Sequence, residues 1–344
     1  MHTTGVQAVA LETLISAAVA APSIHNTQPW RFDPDPVART IEVRLDRERQ
    51  LPLADPQRRA MYLSVGAALF NLRIAAANAG RQPVVRLLPH LGDPDLVAIV
   101  HLAGSAMYER PLYRALYEAV DRRHTSRMPF TGRPVPEPVV AGMVAAARSE
   151  GAHLDVPDIL GTQRLLRLTA AAEARNRADA ERVAETRGCI ALPGDETPYG
   201  IPVGALGPRE ATGRVPMRDF AGMLPGLRLP VLPFERHAQV ALLWTGRDRR
   251  EDWLLAGQAL QHVLLLATVH GVRTSILHQA MEWPDLREAT GAARRRCCPQ
   301  LMIRFGYGPD GGPTPRASGV ADDASAAETV RAGGPAFPVH GSRF

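Results

Sequence analysis

Two stretches of this chain can be laid on one another through a glycine, an apolar ladder, a second glycine and a strand. One reads SVGAALFNLRIAAANAGRQPVVRLL and the other LAGQALQHVLLLATVHGVRTSILH, so that Gly66 falls on Gly257 and Gly80 on Gly271. In both, apolar residues recur with helical spacing, and a glycine is a common stop for a helix. The repetition favours a chain built from two related halves, each with a long apolar helix followed by a strand.

The same order of elements, helix, strand, long helix and strand, surrounds each of these stretches. This mixture of helices and strands predicts an α+β fold class. The expected helices are Gln7–Ala20, Pro56–Ala79, Arg110–Arg122, Pro138–Glu150, Gly161–Arg187 and Asp252–His270, and the expected strands are Ile41–Leu45, Pro83–Leu88, Leu96–Leu102, Ala152–Val156, Gln239–Trp244 and Gln300–Phe305.

The charge of the chain argues against a nucleic-acid partner. All 40 basic residues are arginine, and the net charge of +5 is spread along 344 residues. The nearest basic clusters, Arg122–Arg123 and Arg294–Arg296, have no interleaved aromatic residues. The length is enough for one large domain or two ordinary ones with a substantial core.

Cysteine usage and hydropathy predict a cytoplasmic protein without a structural metal or a membrane anchor. Cys189, Cys297 and Cys298 lack the spacing of a metal site or of a disulfide framework, and we expect three free thiols. No basic segment precedes an apolar core at the N-terminus, so no signal peptide is expected. The longest apolar run, Val263–Val269, is too short to span a bilayer.

A long segment rich in glycine and proline, Thr186–Pro233, interrupts the second half. Segments of this length inside a compact domain are often lids or binding loops. The alternative is a disordered insertion, but apolar anchors favour the lid. These anchors are Met217, Phe220, Met223, Leu224 and Leu227. Residues 317–344 lack a packable pattern and are expected to form a flexible tail.

Two short polar stretches carry the strongest chemical signals. In APSIHNTQPW, residues 21–30, the amides of Asn26 and Gln28 offer donors and acceptors that suit the edge of a heterocycle. The alternative is a turn whose side chains satisfy its own backbone. In RRHTSR, residues 122–127, guanidinium and hydroxyl groups suit phosphate oxygens, and the alternative is a solvated charge run. The GYGPDG stretch at 306–311 matches the letters of a dinucleotide fingerprint, but Pro309 prevents the helix which that site needs.

Together these motifs resemble the FMN-dependent nitroreductase superfamily. The resemblance rests on APSIHNTQPW after a helix, RHTSR before a link rich in proline and valine, and AGQALQHVLLLAT before a glycine. The double arrangement in one chain, with YGIPVGALGP, DWLLAGQAL and CPQLMIRFGYG, resembles the Acg family of NAD(P)H nitroreductases. The match covers most of residues 10–316. It implies a nitroreductase-like α+β fold with antiparallel-rich sheets flanked by helices.

The resemblance also implies which residues hold the flavin. Family members are homodimers with FMN at the subunit interface, whereas this chain has the ring element once, in its first half, and the phosphate element once, in its second. It therefore resembles a fused pseudo-dimer, monomeric and with one FMN per chain, in halves 1–110 and 111–316. The resemblance implies that the flavin ring contacts Pro22, Ser23, Ile24, Asn26 and Gln28. It implies that the phosphate and the ribityl chain contact Arg123, His124, Thr125, Arg127 and Arg316. The implied contacts to the N5 edge of the flavin are Ser275, Ile276 and Leu277.

The implied chemistry belongs to the flavin and needs no catalytic side chain. NAD(P)H would deliver a hydride to N5, and a nitroaromatic, a quinone or a similar small oxidant would then collect the electrons. If the lid covers the flavin, a second function follows: an FMN-sequestering or storage protein with little turnover. A third is another reaction on the same fold, such as flavin destruction or reductive dehalogenation.

Overall fold

The computed structural model describes residues 2–105, 111–224, 226–291 and 297–319. The helices are α1 His2–Val19, α2 Arg59–Asn78, α3 Pro111–Glu118, α4 Glu137–Ser149, α5 Ile159–Ala178, α6 Ala180–Gly188, α7 Arg250–Val269 and α8 Pro284–Gly291. The strands are β1 Trp30–Asp35, β2 Thr40–Leu45, β3 Arg81–Leu87, β4 Leu96–Ser105, β5 His153–Asp155, β6 Ile190–Ala191, β7 Ile201–Pro202, β8 Arg209–Glu210, β9 Val231–Leu232, β10 Gln239–Thr245, β11 Arg273–Leu277 and β12 Cys298–Gly306.

Two four-stranded sheets, each with antiparallel neighbours throughout, carry the architecture. The first has the order β1-β2-β4-β3 and the second the order β5-β10-β12-β11. In both sheets a long helix connects the second strand along the chain to an edge strand, and the next strand returns between them. The two sheets therefore share one strand order, and the α+β class predicted from the sequence is confirmed.

The long helices α2 and α7 pack against each other at a pair of glycines. A Cβ atom added to Gly257 would lie 2.8 Å from the Cα atom of Gly66 and closer still to the carbonyl oxygen of Leu63. Real Cβ atoms do not make such contacts, so glycine is what allows the two backbones to touch. In the described part of the chain one helix, α2, has the length and hydropathy of a membrane span, and 89% of that span is buried inside the protein.

Most predicted elements lie within three residues of the observed ones, but the single helix expected over Gly161–Arg187 is wrong. It breaks into α5 and α6 at Asp179, which has extended backbone angles and whose carboxylate accepts hydrogen bonds from the amides of Glu181 and Arg182. Aspartate favours such a helix-capping position over a helix interior. Strand β1 was not predicted, because it contains Pro34 and proline is unfavourable within most strands. The structure accommodates Pro34 because β1 lies at the edge of its sheet.

The segment 186–233, hereafter the lid segment, is folded wherever the structure describes it, so the disordered insertion is wrong there. It contains two small parallel sheets, β6 with β7 and β8 with β9. Its own apolar cluster is formed by Ile190, Ile201, Ala205, Leu206, Phe220 and Met223. This cluster gives the lid segment a small core separate from those of the two large sheets.

Several smaller predictions concern the second half. Cys189, Cys297 and Cys298 form no disulfide within the described residues. Residues 308–319 form neither helix nor strand, so the match to the dinucleotide fingerprint opens no helix. The start of the predicted tail is anchored, because the amide of Phe32 donates to the carbonyl oxygen of Gly319 over 3.2 Å. Residues 320–344 of that tail, and the cluster Arg294–Arg296, lie outside the described residues.

Candidate functional site

A cavity whose wall includes residues of the lid segment has about 870 Å³ of empty space, part of it open to solvent. We call it the central cavity. Its walls come from the loop after α1 (Pro22, Ser23, Ile24, His25), from α2 (Ala60, Leu63, Ser64), from Thr125 and Arg127, from the lid segment (Met217, Arg218, Phe220), and from Leu260, Ser275, Ile276, Leu277, His278, Gln279 and Leu301.

A smaller pocket with about 390 Å³ of empty space adjoins the central cavity. Pro22, Ser23, Thr125 and Arg127 line both spaces. We call the smaller space the cationic pocket, because no carboxylate side chain is among its lining residues while four basic side chains are. These four are Arg123, His124, Arg127 and Arg316, and the remaining walls are Asn26, Ile201, Gly312 and Thr314.

Backbone pairing places the RRHTSR segment at this junction. Thr125 forms a parallel bridge with Thr274 of β11, and the amide of Ser126 donates to the carbonyl oxygen of Thr274 over 2.9 Å. The hydroxyl of Ser126 donates to the carbonyl oxygen of Pro309 over 3.0 Å. The segment is thus held between β11 and the chain after β12, with residues 123–127 facing the loop that follows α1.

The cationic pocket holds guanidinium groups whose hydrogen-bonding capacity is only partly used. Arg123 is only 4% exposed, and among the described residues its Nε and Nη1 atoms have no partner; neither does the buried Nε of Arg316. Burial, followed by repulsion from Arg316, lowers the pKa of Arg123 to about 9. Burial also lowers the pKa of Arg316 to about 10. Both side chains remain protonated at neutral pH, so an anion bound between them would offset an otherwise unfavourable burial of charge.

His124 and Arg127 extend this basic surface. Burial, with smaller effects of Arg123 and Arg316, lowers the pKa of His124. Burial and then repulsion from Arg218 lower the pKa of Arg127 to about 10. Because Arg127 lines both spaces, its charge is available to a ligand that occupies either one.

Asn26 and Gln28 hold the protein together at this site. The Nδ2 atom of Asn26 donates to the carbonyl oxygens of Gly200 over 2.9 Å and Pro315 over 3.1 Å. The Nε2 atom of Gln28 donates to the carbonyl oxygen of Pro198 over 2.6 Å, and its Oε1 accepts from the amide of Ala317 over 2.9 Å. These amides fasten the loop after α1 to the lid segment and to residues 314–317.

The predicted site residues thus fall into three groups. Ile24, Ser275, Ile276 and Leu277 line the central cavity, Asn26, Arg123, His124 and Arg316 line the cationic pocket, and Pro22, Ser23, Thr125 and Arg127 line both. Gln28 is not among the residues that line either space. The hydroxyl oxygen of Ser275 is buried and has no partner within the described part of the chain, so it can bond to a ligand.

Sequence reasoning missed other residues of the cavity wall. Ala60, Leu63 and Ser64 follow the helical i, i+3, i+4 spacing near the start of α2. This spacing is visible in the sequence, but it predicts only a face that packs in the core and does not indicate a cavity wall. His25 and Arg218 gave no comparable signal. Within the described residues, no group of three or more His, Cys, Asp or Glu side chains could hold a metal ion.

A buried ion pair fastens the lid segment beside the cavity. The carboxylate of Glu282, whose side chain is 1% exposed, pairs with the guanidinium of Arg218 from the lid segment. The same carboxylate accepts from Asn176 Nδ2 over 2.8 Å and lies 3.4 Å from Nδ1 of His278. Burial alone would raise the pKa of Glu282, but Arg218 and His278 outweigh it and hold that pKa well below the usual range.

Further hydrogen bonds join the lid segment to residues of the cavity wall. Arg127 Nη1 donates to the carbonyl oxygen of Ala205 over 2.9 Å. Gln279 Nε2 donates to the carbonyl oxygen of Pro216 over 3.1 Å. Residues that line the cavity are therefore bonded directly to the segment that covers it.

The Glu282→Gln variant is expected to loosen the lid segment. Removing one charge of a buried pair costs about 3–5 kcal/mol, because the partner charge stays buried. Trypsin should then cleave within residues 186–233 at least tenfold faster in the native protein, as followed by mass spectrometry. Equal cleavage rates in the wild type and the variant would contradict this role.

The exposed Glu181, changed to glutamine, is the control and should leave the cleavage rate unchanged. The pH dependence has a definite sign. Because the pKa of Glu282 is depressed, its stabilising effect is present above the ordinary glutamate pKa of 4.5 and is lost as the pH falls through the folded-state value. Acid should therefore release the lid in the wild type, with a smaller effect in Glu282→Gln.

Comparison with known proteins gives relatives along nearly the whole chain, although no protein-family model matches. The chain is 32% identical over 324 residues to the protein named "Putative NAD(P)H nitroreductase Rv3131" of Mycobacterium tuberculosis, covering 92% of this chain and 91% of the relative. It is 28% identical over 311 residues to "Putative NAD(P)H nitroreductase acg" of the same species, covering 87% and 89%.

Solved structures give more distant likenesses. A nitroreductase-type protein from Anabaena variabilis shares 11% identity and covers 87% of each chain, with a TM-score of 0.47. The FMN-dependent nitroreductase NfnB from Mycobacterium smegmatis, solved in complex with NADPH, shares 18% identity and covers 60% of this chain and 95% of its own, with a TM-score of 0.37. The relationship of this chain to other proteins therefore rests on the sequence relatives.

Proposed function

The chain belongs to the family of NAD(P)H nitroreductases that includes Rv3131 and Acg, and from this starting point we propose that it binds one FMN and reduces a small oxidant with electrons from NAD(P)H. The oxidant would be a nitroaromatic, a quinone or a similar molecule. One observation carries the proposal: buried guanidinium nitrogen atoms without a partner, on Arg123 and Arg316, belong to a pocket that shares four lining residues with the central cavity.

The cationic pocket fits the phosphate of FMN. A phosphate dianion needs several donors and a positive surrounding, and arginine supplies both through its planar fork. Arg123 and Arg316 have unused N–H groups there, and the hydroxyl of Thr125 stands at the junction with the central cavity. Arg123, His124, Thr125, Arg127 and Arg316 would therefore hold the phosphate and the ribityl chain.

The central cavity fits the flavin ring. Leu63, Leu260 and Leu301 supply apolar walls, and Ser275 supplies an unpartnered hydroxyl. Bound FMN would supply hydride chemistry at N5. The side chains would orient the ring and exclude water, and Arg127 would stabilise the negative charge that develops on reduction. No side chain is assigned as a proton donor.

Two features of the fold support one FMN per chain in a fused pseudo-dimer. The two sheets share one strand order, and α2 meets α7 at Gly66 and Gly257. The loop after α4, which corresponds to the loop after α1, contributes Glu150 to a buried network instead of a cavity. In this network Glu150 lies 3.5 Å from His262 Nδ1 and pairs with Arg73. We assign residues 1–110 and 111–316 to the two halves, which act together as a monomer.

The closed lid segment favours a second function, an FMN-sequestering protein with little turnover. Met217, Arg218 and Phe220 form part of the cavity wall, and Arg218 is anchored by Glu282. In a sequestering protein this anchored wall would keep an acceptor away from the flavin, whereas in a reductase an acceptor would share the cavity with it. Binding residues serve both functions equally, so turnover decides between them.

The purified protein tests both functions. We expect a yellow protein with one FMN per chain, which NADH or NADPH bleaches under anaerobic conditions and a nitroaromatic reoxidises. A yellow protein that NAD(P)H leaves coloured would favour sequestration. A colourless protein that takes up no added FMN would contradict both. Absorbance near the flavin bands and flavin content per chain are the measurements.

A further inference from the structure

His25 is a cavity residue to which the proposed flavin site gives no role. It lies in the loop after α1 with φ 47° and ψ 25°, a left-handed conformation that is uncommon for residues other than glycine. Its ring meets that of Phe220 in the lid segment edge to face, with 6.3 Å between centroids. The position is therefore determined from both sides, by the loop backbone and by the lid segment.

The Nε2 atom of His25 is buried and has no hydrogen-bond partner among the residues that the structure describes. A buried polar atom without a partner is unfavourable by about 1–3 kcal/mol, and such atoms are rare in native proteins. Because His25 lines the central cavity, a ligand in that cavity can supply the missing partner. Backbone strain at the same residue is typical of functional loops.

His25 acts through a hydrogen bond, not through a charge. Burial, and next the nearby Arg218, lower its pKa to about 3. The imidazole is therefore neutral at neutral pH. A neutral imidazole carries one N–H, and in the tautomer that has it on Nε2 this atom can donate to an oxygen atom.

Each of the other ionisable groups of the cavity wall already has at least one partner within the protein. Both ring nitrogens of His278 are occupied, Nδ1 by Glu282 over 3.4 Å and Nε2 by Arg59 over 3.3 Å. Arg218 is paired with Glu282, and Arg127 donates to Ala205. The wall thus offers a ligand mainly hydrogen-bond donors, and no carboxylate side chain is among the cavity-lining residues.

We propose that Nε2–H of His25 donates a hydrogen bond to an oxygen atom of the electron acceptor and so selects planar aromatic acceptors with an exposed oxygen, such as nitroaromatics and quinones. The inference rests on the proposed function and assigns to His25 a part in positioning its acceptor. Phe220, edge-on to His25, would form the apolar side of the same subsite. Acceptors without an oxygen that can reach His25 would bind more weakly.

The test compares His25→Phe with His25→Gln in the FMN-loaded protein. Phenylalanine keeps the ring and the contact with Phe220 but removes both nitrogens, whereas glutamine restores an N–H donor. One measurement is the KM for menadione. The other is the Kd for benzoate, which has the shape of nitrobenzene and is not reduced, taken from the change in flavin absorbance. We expect His25→Phe to raise the KM for menadione and the Kd for benzoate about tenfold each, because one hydrogen bond is lost. His25→Gln should bring both values most of the way back to those of the wild type.

The exposed His90, changed to phenylalanine, is the control and should keep the wild-type values. Unchanged KM and Kd in His25→Phe, with full flavin content, would overturn the role of His25 and leave the proposed function intact. Loss of flavin from His25→Phe would overturn it too, since His25 would then serve the cofactor. A wild type without flavin would instead overturn the proposed function. If His25→Phe fails to fold, His25→Asn takes its place, because asparagine tolerates the left-handed backbone. Its side chain is too short to reach the acceptor, so KM and Kd should again rise above the wild-type values.

Discussion

Arg123→Ala should weaken FMN binding a hundredfold or more and at the same time leave the FMN-free protein as stable as the wild type or more stable. The first effect follows because hydrogen bonds to a charged group contribute about 1.5–3 kcal/mol each, and Nε and Nη1 are both free to bind. The second follows because the variant no longer buries an unpaired guanidinium group. FMN titration of the FMN-free protein and its thermal unfolding measure the two effects.

Arg122→Ala is the matched control, since Arg122 is exposed and its Nε donates to the carbonyl oxygen of Glu118. It should keep wild-type FMN affinity. Riboflavin, which lacks the phosphate, sharpens the test. The wild type should prefer FMN strongly, and in Arg123→Ala this preference should shrink while riboflavin binding stays the same. Equal FMN affinity in the wild type and Arg123→Ala would contradict the phosphate assignment.

Gly257→Ala should lower the free energy of unfolding by more than about 3 kcal/mol, the largest effect expected from one added methyl group in this chain. Overpacking of a core costs about 1–3 kcal/mol when side chains can move aside. Here the added Cβ atom would meet backbone atoms of Leu63 and Gly66, and a whole helix would have to shift. Chemical denaturation followed by circular dichroism measures the loss.

Gly188→Ala is the control for this substitution. Gly188 lies at the end of α6, and a Cβ atom added there would meet nothing within 4 Å. Alanine is the better helix former by about 1 kcal/mol, so this variant should be as stable as the wild type or slightly more stable. Wild-type stability in Gly257→Ala would mean that α2 and α7 do not touch at their glycines.

The elements of the fold were predictable where a pattern is local. The ladders around Gly66 and Gly257 gave the two central helices within a few residues of their ends. Contacts between distant residues were not predictable. Asn26 and Gln28 were recognised as hydrogen-bonding residues, yet their partner Pro198 lies 172 and 170 residues further along the chain. The sequence shows that a side-chain amide can form hydrogen bonds, but only the fold shows which residue is its partner.

The candidate site divides in the same way. Arg123 and Arg127 could be predicted as candidates for binding an anion because they are close together in the sequence. The ion pair of Arg218 with Glu282 joins residues 64 positions apart, in segments that show no periodicity in common. His25 stands between two recognised positions, Ile24 and Asn26, but its importance comes from burial and an unpaired nitrogen, which no spacing encodes.

The hydrogen bond of 2.7 Å between Arg316 Nη1 and Asn26 Oδ1 has a consequence for how the protein is made. The two residues are 290 positions apart, so the ribosome synthesises one wall of the cationic pocket roughly 15–60 s before the other, at about 5–20 residues per second. Both repeated helices can emerge and pair in that interval. Tight binding of FMN must therefore come late in the biosynthesis of the protein, after translation has passed Arg316.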